Sequence, residues 1–561
     1  MPYILLIHIG PVQEFIAAAR KTRDLAAASS LLSSLSAKGA TICAAKGNLV
    51  FPALSNDGAI SPSGLPNKLF VICDNPHELA DEVIKAIKEE LLREWNKAIE
   101  GLQNLIDVAA AENQILDLPQ IYWVAVRFDE ASDDYLPARL KAEYLLAARK
   151  STRNFGPVTW GSDKVKSSLD GLRESVIIET NLKDAGGSRA IKQLGLKFKT
   201  NPLRITEHLC APGILKRNRA RTSTFPGTAH FAALPFLLQI DSTRDASDSL
   251  KRYTDYLSHQ LNCTLDDLMV ESGGGKFLDG RYLFESELAE EFADDPYKLE
   301  EARNKLNELF RDLELGRPSP YYAILVADGD GIGEKLAEFT GPDEHKSFSR
   351  KLIEFASASQ SIVARNYGKT VYAGGDDILA FLPLTSVLSC AKELSETFNR
   401  SPGGTLSIGV GITHYIEPLS DALALARRAE HEAKSVQGKN ALSICVDKRS
   451  GAVRSVTGKT GALCQKLEDL IHWEQQSALS HQAAYQIRDL LLEFNAGSTI
   501  FGEATAEIFK AEAARILTRK VIGDSEISLD LDNLISTNLP NELLLARMLC
   551  GPKISAKKAK A

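Results

Sequence analysis

The stretch VYAGGDDILAFLPL, residues 371–384, decides the fold of this chain. Val371, Tyr372 and Ala373 predict a strand, Gly374 and Gly375 a tight turn, and Ile378 to Leu382 the returning strand. Two apolar runs split by residues that tolerate positive φ make a hairpin. The hairpin carries adjacent carboxylates, Asp376 and Asp377, near its tip. Two carboxylates about 4 Å apart repel by roughly 4 kcal/mol at an effective dielectric of about 20. Such a pair at the end of a buried hairpin usually has a cation to neutralise it, whereas a solvated Gly-Asp turn needs none.

A second stretch favours the cation. Residues 321–333, YYAILVADGDGIG, read as an apolar strand ending in Asp328-Gly329-Asp330-Gly331, with a helix after it. A carboxylate at the end of a buried strand, about 50 residues before an acidic hairpin, matches a nucleotidyl-transfer palm. In such palms, carboxylates from neighbouring strands hold a pair of Mg²⁺ ions that activate a ribose hydroxyl and stabilise leaving pyrophosphate. Gly329, Gly374 and Gly375 would let a triphosphate approach the backbone.

Composition bounds the rest. A length of 561 residues suits about three or four domains. Hydrophobic content of 44% and charged content of 25% are those of an ordinary globular protein. A formal charge of −7 argues against a generally basic nucleic-acid coat and leaves room for a local basic groove. The 8 cysteines are scattered without a CxxC, which fits reduced cytosolic thiols. YILLIHI, residues 3–9, is too short for a membrane span and has no basic flank before it. These features predict a cytoplasmic protein with no membrane partner.

Along the chain, residues 1–130 read strand, helix, two strands, helix, strand, the βαββαβ order of a ferredoxin-like palm without an acidic hairpin. Residues 131–319 are a mixed, helical linker region. Residues 320–450 repeat βαββαβ and carry GGDD, residues 451–548 read as helical throughout, and 549–561 form a basic tail. The fold class is therefore α+β multidomain, with two ferredoxin-like palms. Lys216, Arg217, Arg219 and Arg221 form the densest basic run, expected to be exposed and a candidate for RNA phosphates.

The ordered set IGPVQEFIAAARKTRDL, LPNKLF, LCAPGILKR, RTSTFPGTA, ADGDGIGEKL and YAGGDDILAFLPL resembles the large polymerase-like subunit of type III CRISPR effector complexes, in its Cmr (III-B) form. The resemblance implies a subunit beside other Cmr subunits on a guide CRISPR RNA. When target RNA pairs with the guide, the second palm of such proteins turns ATP into a cyclic oligoadenylate-type messenger, using two Mg²⁺ or Mn²⁺ ions. Asp328, Asp376 and Asp377 match the family's catalytic metal positions. Asp330 is a weaker candidate, equally readable as a loop cap. His345 and Ser349 fall where relatives approach the nucleotide, and Lys434 and Lys439 could hold triphosphate.

Two departures stand out. Many relatives begin with an HD nuclease, but here the first palm starts at Tyr3 and no His-Asp dipeptide occurs, so that nuclease is expected to be absent. Relatives often bind zinc through cysteine pairs in the linker; here KSSLDGLRE supplies serine and aspartate and only Cys210 remains, so no zinc is expected. Some relatives without the nuclease join AMP to S-adenosylmethionine, and a silent guide-RNA scaffold is the alternative outside enzymology. A GGDEF-type cyclase fits worse, because Ile378 follows Asp377 where Glu-Phe would stand.

Overall fold

The computed structural model describes residues 2–54, 65–128, 135–152, 164–179, 198–200, 203–205, 207–220, 224–241, 246–313, 315–476, 480–497, 503–520 and 535–551. Its first sheet contains β1 (Tyr3–Gly10), β2 (Asn48–Phe51), β3 (Lys68–Cys73) and β4 (Gln120–Arg127), in the order β2-β3-β1-β4. Helices Thr22–Lys46 and Pro76–Ala98 make the crossovers. The unbroken apolar run of β1 has a simple cause: both of its faces are covered. Leu5 and Ile7 pack with the two crossover helices, while Ile4 and Leu6 pack against helix Tyr135–Ser151 through Tyr135, Ala138, Ala142 and Leu146. The sequence reading had placed that helix in the linker.

Two small hairpins, β5 (Phe198–Thr200) with β6 (Leu203–Ile205) and β7 (Met269–Ser272) with β8 (Gly275–Leu278), lie between the palms in sequence. The second sheet has β9 (Tyr321–Asp330), β10 (Lys369–Gly374), β11 (Asp377–Leu382), β12 (Thr405–His414), β13 (Ala441–Val446) and β14 (Arg454–Lys459), in the order β10-β11-β9-β12-β13-β14. Its first four strands repeat the order of the first sheet, with β9 in the place of β1. Helices Pro342–Arg365 and Val387–Arg400 cross over within the repeat. Helix Leu419–Lys434 then connects β12 to β13, which lie parallel, and β14 closes the edge antiparallel to β13. Residues 454–459, expected to be helical, are a strand because the sheet edge supplies hydrogen bonds that local propensity does not foresee. Helices Thr460–Gln475 and Leu539–Leu549 share a core with this sheet. Among the described residues no helix is long and apolar enough to cross a membrane.

The palms touch through helix Pro342–Arg365. The His345 ring stands edge-on to Phe70 at 5.0 Å and its Nδ1 is 3.0 Å from Tyr135 Oη. The Ala53 amide donates to Ser349 Oγ at 2.9 Å. His345 and Ser349, expected near a nucleotide, are thus 4% and 0% exposed and spent on the interface between palms.

The basic run is corrected in the same way. Lys216 and Arg217 are 2% and 1% exposed, not surface groups. The Lys216 ammonium donates to the carbonyls of Phe15 and Ala18, and burial pulls it down to about 8. Arg217 forms bidentate pairs with Asp24 (2.9 and 3.1 Å) and Glu207 (both 3.1 Å), two carboxylates as buried as itself. Arg219 pairs with Glu94. Arg221 lies outside the described residues. The run tied helix Ala211–Arg219 to the first palm because charges in its interior need partners from another element.

Arg217→Met should therefore destabilise the protein by about 3–5 kcal/mol, since it strands two buried carboxylates. Arg219→Ala should cost no more than about 1 kcal/mol, and thermal unfolding of the two variants checks the contrast. Unfolding also has a pH signature. Burial lowers His230 to about 4, against a raising effect of Asp279; burial, then Arg139 and Lys68, lower His345 to about 3. Both rings stay neutral in the fold below the 6.5 of a free imidazole, so the unfolded chain binds more protons there. The two rings' contribution to stability should fall as pH drops from about 6.5 toward 4, by about 1.4 kcal/mol per pH unit for each ring, against an opposite contribution from raised carboxyls such as Asp376; the difference in slope between wild type and His345→Gln isolates one ring.

Candidate active site

Asp328 and Asp330 lie two residues apart on β9 and so face the same side of the sheet. They are used differently. Asp330 Oδ1 accepts from Ser407 Oγ at 2.8 Å, and Oδ2 accepts from Thr405 Oγ1 at 2.8 Å and the Asn440 amide at 3.1 Å. With those lone pairs taken it is a structural clamp, the loop-capping alternative of the two. It fixes the turn in which Lys439 and Asn440 both adopt left-handed backbone, φ 46° and 50°.

Asp328 instead faces Asp377, Asp376 and Lys434. Burial alone would raise Asp328, but the carboxyl of Asp377 and the ammonium of Lys434, 2.6 Å from Oδ2, hold it low. Crowding by protein, then Asp328, pushes Asp376 up to about 6. Asp377 is also raised, by the same crowding and by a hydrogen bond with Asp328, although the residue as a whole is exposed. Two carboxyls this close share a proton.

Glycines permit this convergence. A Cβ on Gly329 would meet Asp376 Cβ and Phe398 Cζ, each at 2.8 Å, so only glycine lets the hairpin tip lie against β9. On Gly374 a Cβ would stand 2.0 Å from Tyr372 Oη, and Gly375 turns the hairpin with φ 72°. Further along the sheet, a Cβ on Gly409 would fall 2.0 Å from the Glu430 backbone nitrogen, and one on Gly411 would fall 2.7 Å from the Ala426 nitrogen. Helix Leu419–Lys434 therefore sits hard on β12, which brings its last turn over the end of β9. There Lys434 Nζ is 2.6 Å from both Asp328 Oδ2 and Glu430 Oε1. Sequence reasoning missed Glu430. The available signal was GVG within an otherwise bulky strand, since glycine inside a strand marks a close backbone approach.

The donor set is all hard oxygen, which suits Mg²⁺ or Mn²⁺. Among the described residues no three His, Cys, Asp or Glu side chains already form a cage for an ion. That agrees with Mg²⁺ habits: one or two carboxylates, with substrate phosphates and water completing the shell. Among the described residues, the strand positions of the first palm that match Asp328 and Asp377 carry no acids. β1 ends His8-Ile9-Gly10, with His8 opposite Lys68 on β3 and Tyr122 on β4. A cavity of about 1010 Å³ lies against that palm, away from the carboxylates. Some of its lining groups are paired with one another, Arg173 with Asp170 and Asp117, and Cys210 Sγ with Asp170 at 3.6 Å.

Fold and site together define a two-palm protein whose second palm gathers three aspartates and a lysine at the end of its sheet. Known proteins agree with that class. The family described as Cas10/Cmr2, second palm domain, matches residues 321–443, and the N-terminal family of the CRISPR-associated protein Cmr2 matches residues 4–100. Two parts of the chain are thus similar to Cas10/Cmr2 proteins, one in each palm. The Cmr subunit Cmr2 of Pyrococcus furiosus is 27% identical in an alignment 549 residues long that covers 80% of this chain and 62% of that relative; the chain thus spans less than two thirds of its length. Among solved structures, the type III-B Cmr-beta complex in its apo state contains a chain with TM-score 0.67 and 14% identity, over 98% of this chain and 82% of that one. The same complex bound to cognate target RNA gives 0.63 and 15%, over 94% and 80%. At such identity the likeness shows the fold.

Gly409→Ala should act on the site from a distance. The added methyl meets helix backbone that cannot swing aside, so we expect a loss of about 1–3 kcal/mol in thermal or denaturant unfolding. The equivalent change at Gly227, where nothing lies within 4 Å, should be far milder.

Proposed function

We propose that this chain is the nucleotidyltransferase subunit of a Cmr-type CRISPR ribonucleoprotein, making a cyclic oligoadenylate-type messenger from ATP when target RNA pairs with the guide. The observation that carries this is the meeting of Asp328, Asp376 and Asp377 at one end of a palm sheet, with a lysine as their counter-charge. Those three carboxylates would hold two Mg²⁺ or Mn²⁺ ions, which when bound supply activation of a 3′-hydroxyl and neutralisation of the leaving pyrophosphate.

The chain's own residues prepare that chemistry. The proton shared by Asp377 and Asp328 has to leave before both can act as ligands, so ion loading is favoured as pH rises. The main chain at Gly329, Gly374 and Gly375 offers close approach to phosphates. Lys434, and Lys439 on the turn clamped by Asp330, supply positive charge for the triphosphate. The first palm, with His8 and Lys68 in place of acids, supports the second without catalysing. Guide RNA, target RNA and other Cmr subunits are the partners this reading requires.

The test uses the reconstituted complex with labelled ATP, with and without target RNA, and identifies products by mass. Asp376→Ala with Asp377→Ala should lower product formation by at least about a hundredfold. Assembly and melting temperature should be unchanged or slightly raised, because two crowded carboxylates have been removed. Near wild-type synthesis by that variant rejects the assignment, and the mass of the product identifies the acceptor.

A further inference from the structure

Asp328 is already engaged by its own chain. The ammonium of Lys434 lies 2.6 Å from Oδ2, and the Asp377 carboxyl also hydrogen-bonds to Asp328. A Mg²⁺ ion needs carboxylate lone pairs at about 2.0–2.1 Å, so it and the ammonium compete for the same oxygen. Lys434 cannot simply drift off. Glu430, one turn earlier on the helix, holds its Nζ at 2.6 Å in the favourable Glu-to-Lys orientation, and the helix is pinned at Gly409.

We infer that Lys434 is a tethered cation that occupies Asp328 until a divalent ion displaces it, and that Glu430 keeps the displaced ammonium beside the site to meet the triphosphate. This rests on the reading of Asp328 as a metal ligand. The exchange gives ion and nucleotide a reason to bind together: the ion frees the ammonium, and the nucleotide gives it a new partner. Ion loading without nucleotide is correspondingly weak, and the coupling is reciprocal.

Two measurements on the full chain test it. Mn²⁺ titration, read by the paramagnetic resonance of free Mn²⁺, should show about tenfold tighter binding in Lys434→Met than in wild type. The gain should persist in about 0.5 M salt, where a merely long-range charge effect is screened. On the wild-type protein, acylation of Lys434 by an N-hydroxysuccinimide ester, read by mass spectrometry, should rise with Mg²⁺ alone and fall when a non-hydrolysable ATP analogue is added. Because the labelling needs no variant, a folding defect in Lys434→Met does not shelter the idea. If Mn²⁺ binds wild type and is lost in Asp376→Ala with Asp377→Ala, while neither the Lys434→Met affinity nor the labelling responds, the tethered cation is overturned and the metal reading stands. If Mn²⁺ binds neither wild type nor Lys434→Met, both are overturned.

Discussion

Three carboxylates converge at the end of the second palm's sheet, and one ammonium faces them. Much of this half of the molecule answers that electrostatic problem. Asp328, Asp376 and Asp377 cannot all ionise at close range, and the structure relieves them by a shared proton and by Lys434 at 2.6 Å. Burial would lower the Lys434 ammonium, yet its hydrogen bonds to Asp328 and Glu430 raise it above the ordinary value, so it stays charged. Asp330 is excluded from the cluster by three hydrogen bonds to β12 and the Asn440 turn. Two aspartates on the same strand thus have separate tasks.

Packing makes the electrostatics achievable. Side chains at 329, 409 or 411 would hold the hairpin tip and the 419–434 helix away from β9 and β12. The first palm has the same strand order, and its central strand ends in His8 opposite Lys68 instead of acids. One topology therefore appears twice, with a histidine and a lysine at the positions where the second sheet has aspartates. The two copies are joined by His345 and Ser349 on one side and by the shared apolar core on the other.

The linker between the palms is tied down by charge as well as by apolar contact. Arg217 bridges Asp24 of the first palm and Glu207, all three no more than 1% exposed. A fully desolvated guanidinium with two bidentate partners fixes one geometry, since any shift leaves a buried charge unpaired.

The amino-acid sequence by itself determined the two βαββαβ palms, because apolar periodicity, turn glycines and strand-ending carboxylates are local patterns. It also singled out Asp328, Asp376 and Asp377, through the DGD and GGDD motifs at strand ends, and the fold brings these three together. Tertiary structure alone decided the roles of the charged residues that carry no local signature. Lys216 and Arg217 look like a solvated basic face in sequence and are interior, because their partners Phe15, Ala18 and Asp24 lie about 200 residues away. His345 and Ser349 follow the strand that carries Asp328 and face the other palm. Glu430 has no motif, and its place at the site depends on how closely a helix can approach Gly409. Charge pairing and close packing are long-range in sequence and short-range in space, so only the folded chain settles them.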